Sequence, residues 1–241
     1  MILHVKQSQS FFIVCLLLCL GVSASEKTTS PKTVRWAQGL QGCSFSASRD
    51  GKYHYHLNSD DLDVTLSVDA QELQLTGRRL GHFLGVFVEA RYKGVGNMVF
   101  GPDTATIEYV NHYRVTKQAF DPETFSQSLE SGAEDVSDEM GRQIERHPDR
   151  AEKREPIARA YQKDVAELLE FVNTQTMKSA TLSPAAPSNS GWMLFGTKNR
   201  WIGKWKKREE LVFRIQLADR VLEFPFTLPP KEAAVTLKER D

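Results

Sequence analysis

Two histidines raise the first chemical question. The stretch "KYHYHLNSDD" sets His54 and His56 two residues apart. On an extended strand that spacing puts both imidazoles on one face, roughly 6.8 Å apart. Asp60 and Asp61 follow closely. Two imidazoles and a carboxylate are a donor set that zinc accepts, so His54 and His56 are the metal candidates of this chain. No third ligand stands at a fixed spacing, and a His-x-His strand with Tyr53 and Tyr55 packing behind it is the competing reading. The expectation is a solvated strand face and no cofactor.

A second stretch carries charge and rings together. "GWMLFGTKNRWIGKWKKREELVFRI" runs from Gly191 to Ile215 and holds three of the four tryptophans. Trp201 and Trp205 are interleaved with Lys204, Lys206, Lys207 and Arg208. One reading is contact with anionic lipid or a polyanionic envelope polymer, the cations binding while the indoles sit at the interface. In the other, Trp192, Trp201 and Trp205 are core or cross-strand residues and the lysines guard a sheet edge. Tryptophan is highly buried on average, so architecture is expected first.

Other catalytic signatures are missing from the sequence. It has no Gly-x-Ser-x-Gly elbow and no His-Glu-x-x-His zinc helix. Glu134, Asp135, Asp138 and Glu139 lie mostly off an apolar helical stripe and read as a solvated face. "GVGN", Gly94 to Asn97, is a turn and is not followed by a helix that would seat a phosphate. "LQGC" ending at Cys43 resembles a lipidation box but lacks the apolar run in front of it. Cys43 is expected to be a half-buried core thiol.

The ends set the compartment that any such chemistry would serve. Lys6 is followed by the apolar run "FFIVCLLLCLGV" and then by "VSAS". That is the layout of a secretory signal peptide over residues 1–24, cleaved after Ala24. Its core is short for a membrane span, which needs about 20 residues. An uncleaved signal anchor that tethers the protein to the membrane is the alternative. Cys15 and Cys19 leave with the signal, so no internal disulfide is expected. The chain carries 31 Lys and Arg against 31 Asp and Glu, and losing Lys6 leaves it near neutral. Such balance argues against a nucleic-acid partner. No Asn-x-Ser/Thr site occurs, so a bacterial periplasmic or secreted location is the simpler expectation.

The elements that must position these residues are mainly strands. "LDVTLSV" alternates Leu62, Val64, Leu66 and Val68 with polar residues, the mark of a half-buried strand. "ELQL" repeats this with Leu73 and Leu75, and "VFVEARY" with Val86, Val88, Ala90 and Tyr92. "TIEYVNHYRV" reads as one long strand, with Ile107, Tyr109, Tyr113 and Val115 on one face. The period then changes. Asp121 suits a helix N-cap and Pro122 the first turn. Phe125, Leu129, Ala133, Val136, Met140 and Ile144 form the stripe of one helix. Pro156 is expected to open a second, with Ile157, Tyr161, Val165, Leu168, Leu169 and Val172. "LVFRIQL" and "VLEFPFTL" predict a closing hairpin, and Pro225 marks an edge strand.

These elements organise into residues 25–35 as a flexible segment, one β-sandwich over 36–230 with a helical insertion at 119–182, and a flexible tail at 231–241. The insertion is expected to be an appendage. "GWMLFGTKNRWIG", "EELVFRI" and "EFPFTLPP" resemble the closing strands of immunoglobulin-like β-sandwich domains in uncharacterised exported bacterial proteins. The resemblance covers the last fifth of the chain and lacks the paired cysteines of antibody-type domains. It implies an immunoglobulin-like antiparallel sandwich with an inserted two-helix hairpin, and no activity. An α+β fold, with the helices on one open antiparallel sheet, is the alternative. Functionally, the expectation is a non-enzymatic module binding an envelope protein, anionic lipid or polymer. The alternative is an exported hydrolase with a polar cleft between sandwich and helices, which needs histidine, acid and hydroxyl groups to converge.

Overall fold

A computed structural model describes residues 31–48, 52–69, 83–198 and 209–228. The signal segment, "ELQL", Trp201, Lys204, Trp205, Lys206, Lys207, Arg208 and the tail lie outside the described residues. So does the expected flexible segment up to Ser30.

The chain is mainly β, with several antiparallel sheets and two helices. Twelve strands are described. β1 (Lys32–Arg35), β2 (Cys43–Ala47), β3 (Lys52–Ser59), β4 (Leu62–Asp69), β5 (Phe83–Tyr92) and β6 (Met98–Phe100) come first. β7 (Ala105–Tyr109) and β8 (Val115–Gln118) precede the helices α1 (Pro122–Arg146) and α2 (Ala151–Gln175). β9 (Ala180–Leu182), β10 (Ser188–Gly196), β11 (Glu209–Gln216) and β12 (Arg220–Leu228) follow. One sheet has the order β1-β12-β11-β7-β8 and a second β10-β5-β4-β3-β2, with β6 and β9 as a small ribbon. The described strands thus form two five-stranded sheets, not the one open sheet of the alternative.

Alternation builds the core. Leu62, Val64, Leu66 and Val68 are fully buried on one face of β4, and Val86, Val88 and Ala90 on the matching face of β5. The first sheet answers with Leu211, Phe213 and Ile215 on β11 and Leu222, Phe224 and Phe226 on β12. All belong to one cluster. Its ring contacts run from sheet to sheet: Tyr55 meets Phe226 at 5.7 Å and Phe195 meets Phe213 at 6.0 Å. Cys43 is a free, half-buried thiol packed against this cluster.

The helices form a hairpin seated on the outer face of the second sheet. Asp121 caps α1, its carboxylate accepting the Thr124 N–H at 2.8 Å. Phe120 and Phe125 stack at 4.8 Å, and Phe125 meets Phe83 edge-on. From α2, Phe171 packs on Trp192, which also crosses to Phe87 on β5. Trp192 is thus a cross-strand ring. Gly191 lets the chain leaving α2 pass directly over β10: a Cβ there would stand 2.6 Å from the Met177 nitrogen. Met177 in turn donates to the Trp192 carbonyl at 2.9 Å. Among the described residues no helix is long and apolar enough to cross a membrane.

Five expectations change. Lys32–Arg35, placed in a flexible segment, is strand, and it pairs in parallel with Arg220–Glu223. The sheets are therefore not wholly antiparallel. "TIEYVNHYRV" is not one strand: it breaks into β7 and β8 around a tight turn that exposes Tyr113 completely. The second helix starts at Ala151, with Pro156 inside it and Ile157 exposed. Pro156 is the sixth helical residue, just past the N–H groups that have no intrahelical partner, so its ring forgoes one backbone bond in the second turn. The stretch 119–182 is not wholly an appendage, since Ala119, Met177 and Leu182 are buried in the central core.

Candidate functional site: an arginine-walled slot at a sheet edge

The site begins where β1 stops. Through Arg35 this strand pairs with β12, and the Trp36 N–H still donates to the Glu223 carbonyl at 2.7 Å. The chain then leaves the sheet. The Trp36 indole N–H reaches the second sheet and is shared between the carbonyls of Ser44 (3.3 Å) and His56 (3.1 Å). Beyond that crossing, the edge of β12 from Pro225 onward has no strand beside it among the described residues. A concavity of about 330 Å³ occupies this place, lined among others by Arg35, Trp36, Tyr55, Val212, Pro225 and Thr227.

Strand register assembles a ladder of charge on the outer face of the same sheet. Arg35 Nη1 lies 3.1 Å from Glu223, and Arg214 Nε lies 2.7 Å from the other oxygen of Glu223. Arg214 Nη2 lies 2.6 Å from Glu108, and Arg114 Nε also lies 2.6 Å from Glu108. Three guanidiniums thus share two carboxylates. The middle of the ladder is drier than its ends: the Glu108 side chain is 6% exposed, those of Arg35 and Arg114 59% and 69%. Burial alone would lower the pKa of Arg214. Hydrogen bonds to Glu223 and Glu108, and their negative charge, outweigh that and hold it above its usual range. Arg35, Arg114 and Arg214 all line the concavity, as does Glu210 with the opposite sign.

A strained turn holds one end of the ladder. Val115 N–H donates to the His112 carbonyl, and the two residues between them, Tyr113 and Arg114, have φ of 59° and 56°. Two successive positive φ values make a tight hairpin turn that normally takes Asn and Gly. Non-glycine residues held this way cost about 1–3 kcal/mol each and cluster at functional sites. Here the strain displays Tyr113 to solvent and carries Arg114 to the rim of the slot.

Comparisons with protein-family models, curated proteins and solved structures find no match to this chain.

The histidine candidates sit elsewhere, on the outer face of the second sheet. His54 Nδ1 is 2.7 Å from Ser67 Oγ and its Nε2 3.1 Å from Ser48 Oγ. His56 Nδ1 is 3.1 Å from Thr65 Oγ1. The structure brings the imidazoles together with hydroxyls, not with Asp60 and Asp61, which lie at the β3–β4 turn. Asp61 is engaged by Arg220. Among the described residues, no group of three His, Cys, Asp or Glu is placed to hold a metal ion.

Sequence reasoning missed the arginine ladder. A signal was present: Glu108, Arg214 and Glu223 each stand at an outward position between two apolar residues, Ile107 and Tyr109, Phe213 and Ile215, and Leu222 and Phe224. The predicted closing hairpin sets β11 beside β12, but nothing in the sequence says that β7 and β1 flank that pair.

Proposed function

We propose that this chain is an exported, non-enzymatic binding module of the cell envelope, built on an immunoglobulin-like sandwich, and that its ligand is anionic. Two sheets with a common core support the sandwich, and the leader pattern supports export. The observation that carries the binding reading is the slot itself. Three arginines converge on one concavity, and the two exposed ones keep guanidinium N–H groups with no described partner after pairing with Glu223 and Glu108. A guanidinium offers carboxylate, sulfate or phosphate a planar fork of donors, which gives direction as well as charge. Because Glu210 shares the rim, selectivity comes from that direct contact more than from a long-range field. The cluster Lys204, Lys206, Lys207 and Arg208 immediately precedes β11 in the sequence and is assigned the same class of ligand, an anionic component of the envelope.

Dextran sulfate is the simplest probe. The mature chain is expected to bind it in a salt-sensitive manner, since exposed charges are screened beyond about 8 Å at physiological ionic strength. Replacing Arg35→Gln and Arg114→Gln together should weaken binding at unchanged thermal stability. Binding that persists in the double variant would remove the slot from this role. For export, terminal sequencing of native material should begin at or near Ser25, and a protein that keeps Met1 in the cytoplasm would end that part of the proposal.

A further inference from the structure

The slot has the backbone chemistry of a missing strand. Alternation fixes which way each peptide group of β12 faces. The Glu223 carbonyl accepts from Trp36, so Glu223 turns its polar backbone groups toward β1. Residues two apart on a strand face the same edge, so Pro225 and Thr227 turn theirs the same way. The neighbouring strand agrees. The Glu210 carbonyl accepts from Val110 N, which turns Glu210 and Val212 toward β7 and away from their partners Thr227 and Pro225. The open edge therefore presents a carbonyl at Pro225, then an N–H and a carbonyl at Thr227. The missing donor of Pro225 falls on this edge and not in the ladder with β11, which explains how proline is tolerated within β12.

We infer that this slot takes a short extended segment of a partner protein by strand addition, continuing the line of β1 along Pro225–Leu228. The inference rests on the binding role proposed above and names the ligand class. Strand addition draws affinity from main-chain hydrogen bonds and specificity from alternate side chains. Here the two faces of the guest differ. Inward side chains would meet Tyr55 and Phe226, and outward ones Arg35 and Arg214. The fitting sequence is short, apolar at one parity and Asp or Glu at the other. Pro225 keeps it short, because a longer guest ladder would meet a position with no donor. That same proline prevents indiscriminate edge pairing.

The test uses the mature chain and a labelled peptide, acetyl-Val-Glu-Val-Glu-Val-amide, followed by fluorescence anisotropy. Three comparisons are made: the peptide N-methylated at its valines, whose amides share the parity of Trp36 and face β12, the peptide with glutamine in place of both glutamates, and dextran sulfate as an anion without a peptide backbone. Strand addition expects the parent peptide to bind and each altered peptide to bind about tenfold or more weakly. Thr227→Pro removes the one donor on this edge without touching the β11 ladder, and should cause a similar loss. N-methylation leaves the protein unaltered, so it decides the matter even if Thr227→Pro unfolds. Absence of peptide binding, or binding indifferent to N-methylation, overturns strand addition. If dextran sulfate still binds through Arg35 and Arg114 in that case, the anion-binding role survives and the partner is a polymer. If neither probe binds, both readings fall.

Discussion

Two replacements of the helical hairpin should behave in opposite ways. The first exchanges residues 119–182 for a short Gly/Ser loop. It removes Ala119, Met177 and Leu182 from the central core, and Val172 with its ring neighbours Phe120, Phe125 and Phe171 from the seat on the second sheet. Truncating a buried Met or Leu to Ala costs about 2–5 kcal/mol. Met177 and Leu182 alone therefore account for about 4–10 kcal/mol, against a total stability of about 5–15 kcal/mol for a domain. This variant is expected to lose its cooperative transition. The second exchanges only 134–164. No residue in that range is fully buried. The hydrogen bond from Ser126 to Asn173 lies in the retained root, whereas that from Arg154 to the Gln143 carbonyl lies in the removed arm. Closing the two cut helices with a short linker should change stability by only about 1–2 kcal/mol. Urea titration followed by circular dichroism and tryptophan fluorescence reads both. A cooperative, near-native transition in the 119–182 variant would refute the assignment of these side chains to the core. Loss of cooperativity in the 134–164 variant would show that the outer arm supports the sheets.

Three further outcomes follow from single side chains. Glu108→Ala leaves the part-buried Arg214 with Glu223 as its one remaining carboxylate, and should cost about 3 kcal/mol in urea unfolding. Asp121→Ala should cost about 1 kcal/mol as a lost N-cap. The Thr124 N–H lowers the Asp121 pKa in the folded state, so the cap's contribution is complete above the unfolded carboxyl value and fades as pH falls through the folded one. The gap between wild type and Asp121→Ala should therefore close only under acid conditions, below about pH 4. Tyr113→Gly relieves a positive φ at a fully exposed residue and should gain up to about 1 kcal/mol in thermal melts, while an unchanged or lower Tm would argue against strain in this turn.

Much of the fold was legible because it is local. The alternation at Leu62–Val68 and the pair Asp121–Pro122 each declare an element within a few residues, and both appear as expected. The β7–β8 turn was not legible, since His112–Val115 contains no glycine and Tyr113 and Arg114 adopt positive φ against their type. β1 was missed because four residues carry almost no pattern and its partner lies at the far end of the sequence. The slot was illegible for the same reason. Arg214 and Glu223 share the predicted closing hairpin, but Arg35, Glu108 and Arg114 join them only through strand order and the β7–β8 turn, which spacing along the chain does not encode. His54 and His56 show the converse: their shared face was readable, but their hydroxyl partners come from Ser48 on the loop after β2 and from Ser67 and Thr65 on β4.

The pairing of β1 with β12 also has a consequence for the order of assembly. Arg35 and Glu223 are 188 residues apart. Contacts of such high sequence separation form late and slow folding. A nascent chain that stops short of Arg220 has made β1 but not the strand it pairs with, and the Trp36 N–H has no carbonyl of Glu223 to meet. Registration of the first sheet edge therefore waits until almost all of the described chain has been synthesised. Through that interval β1 stays single, and the last strand to be made is the one that draws it into place.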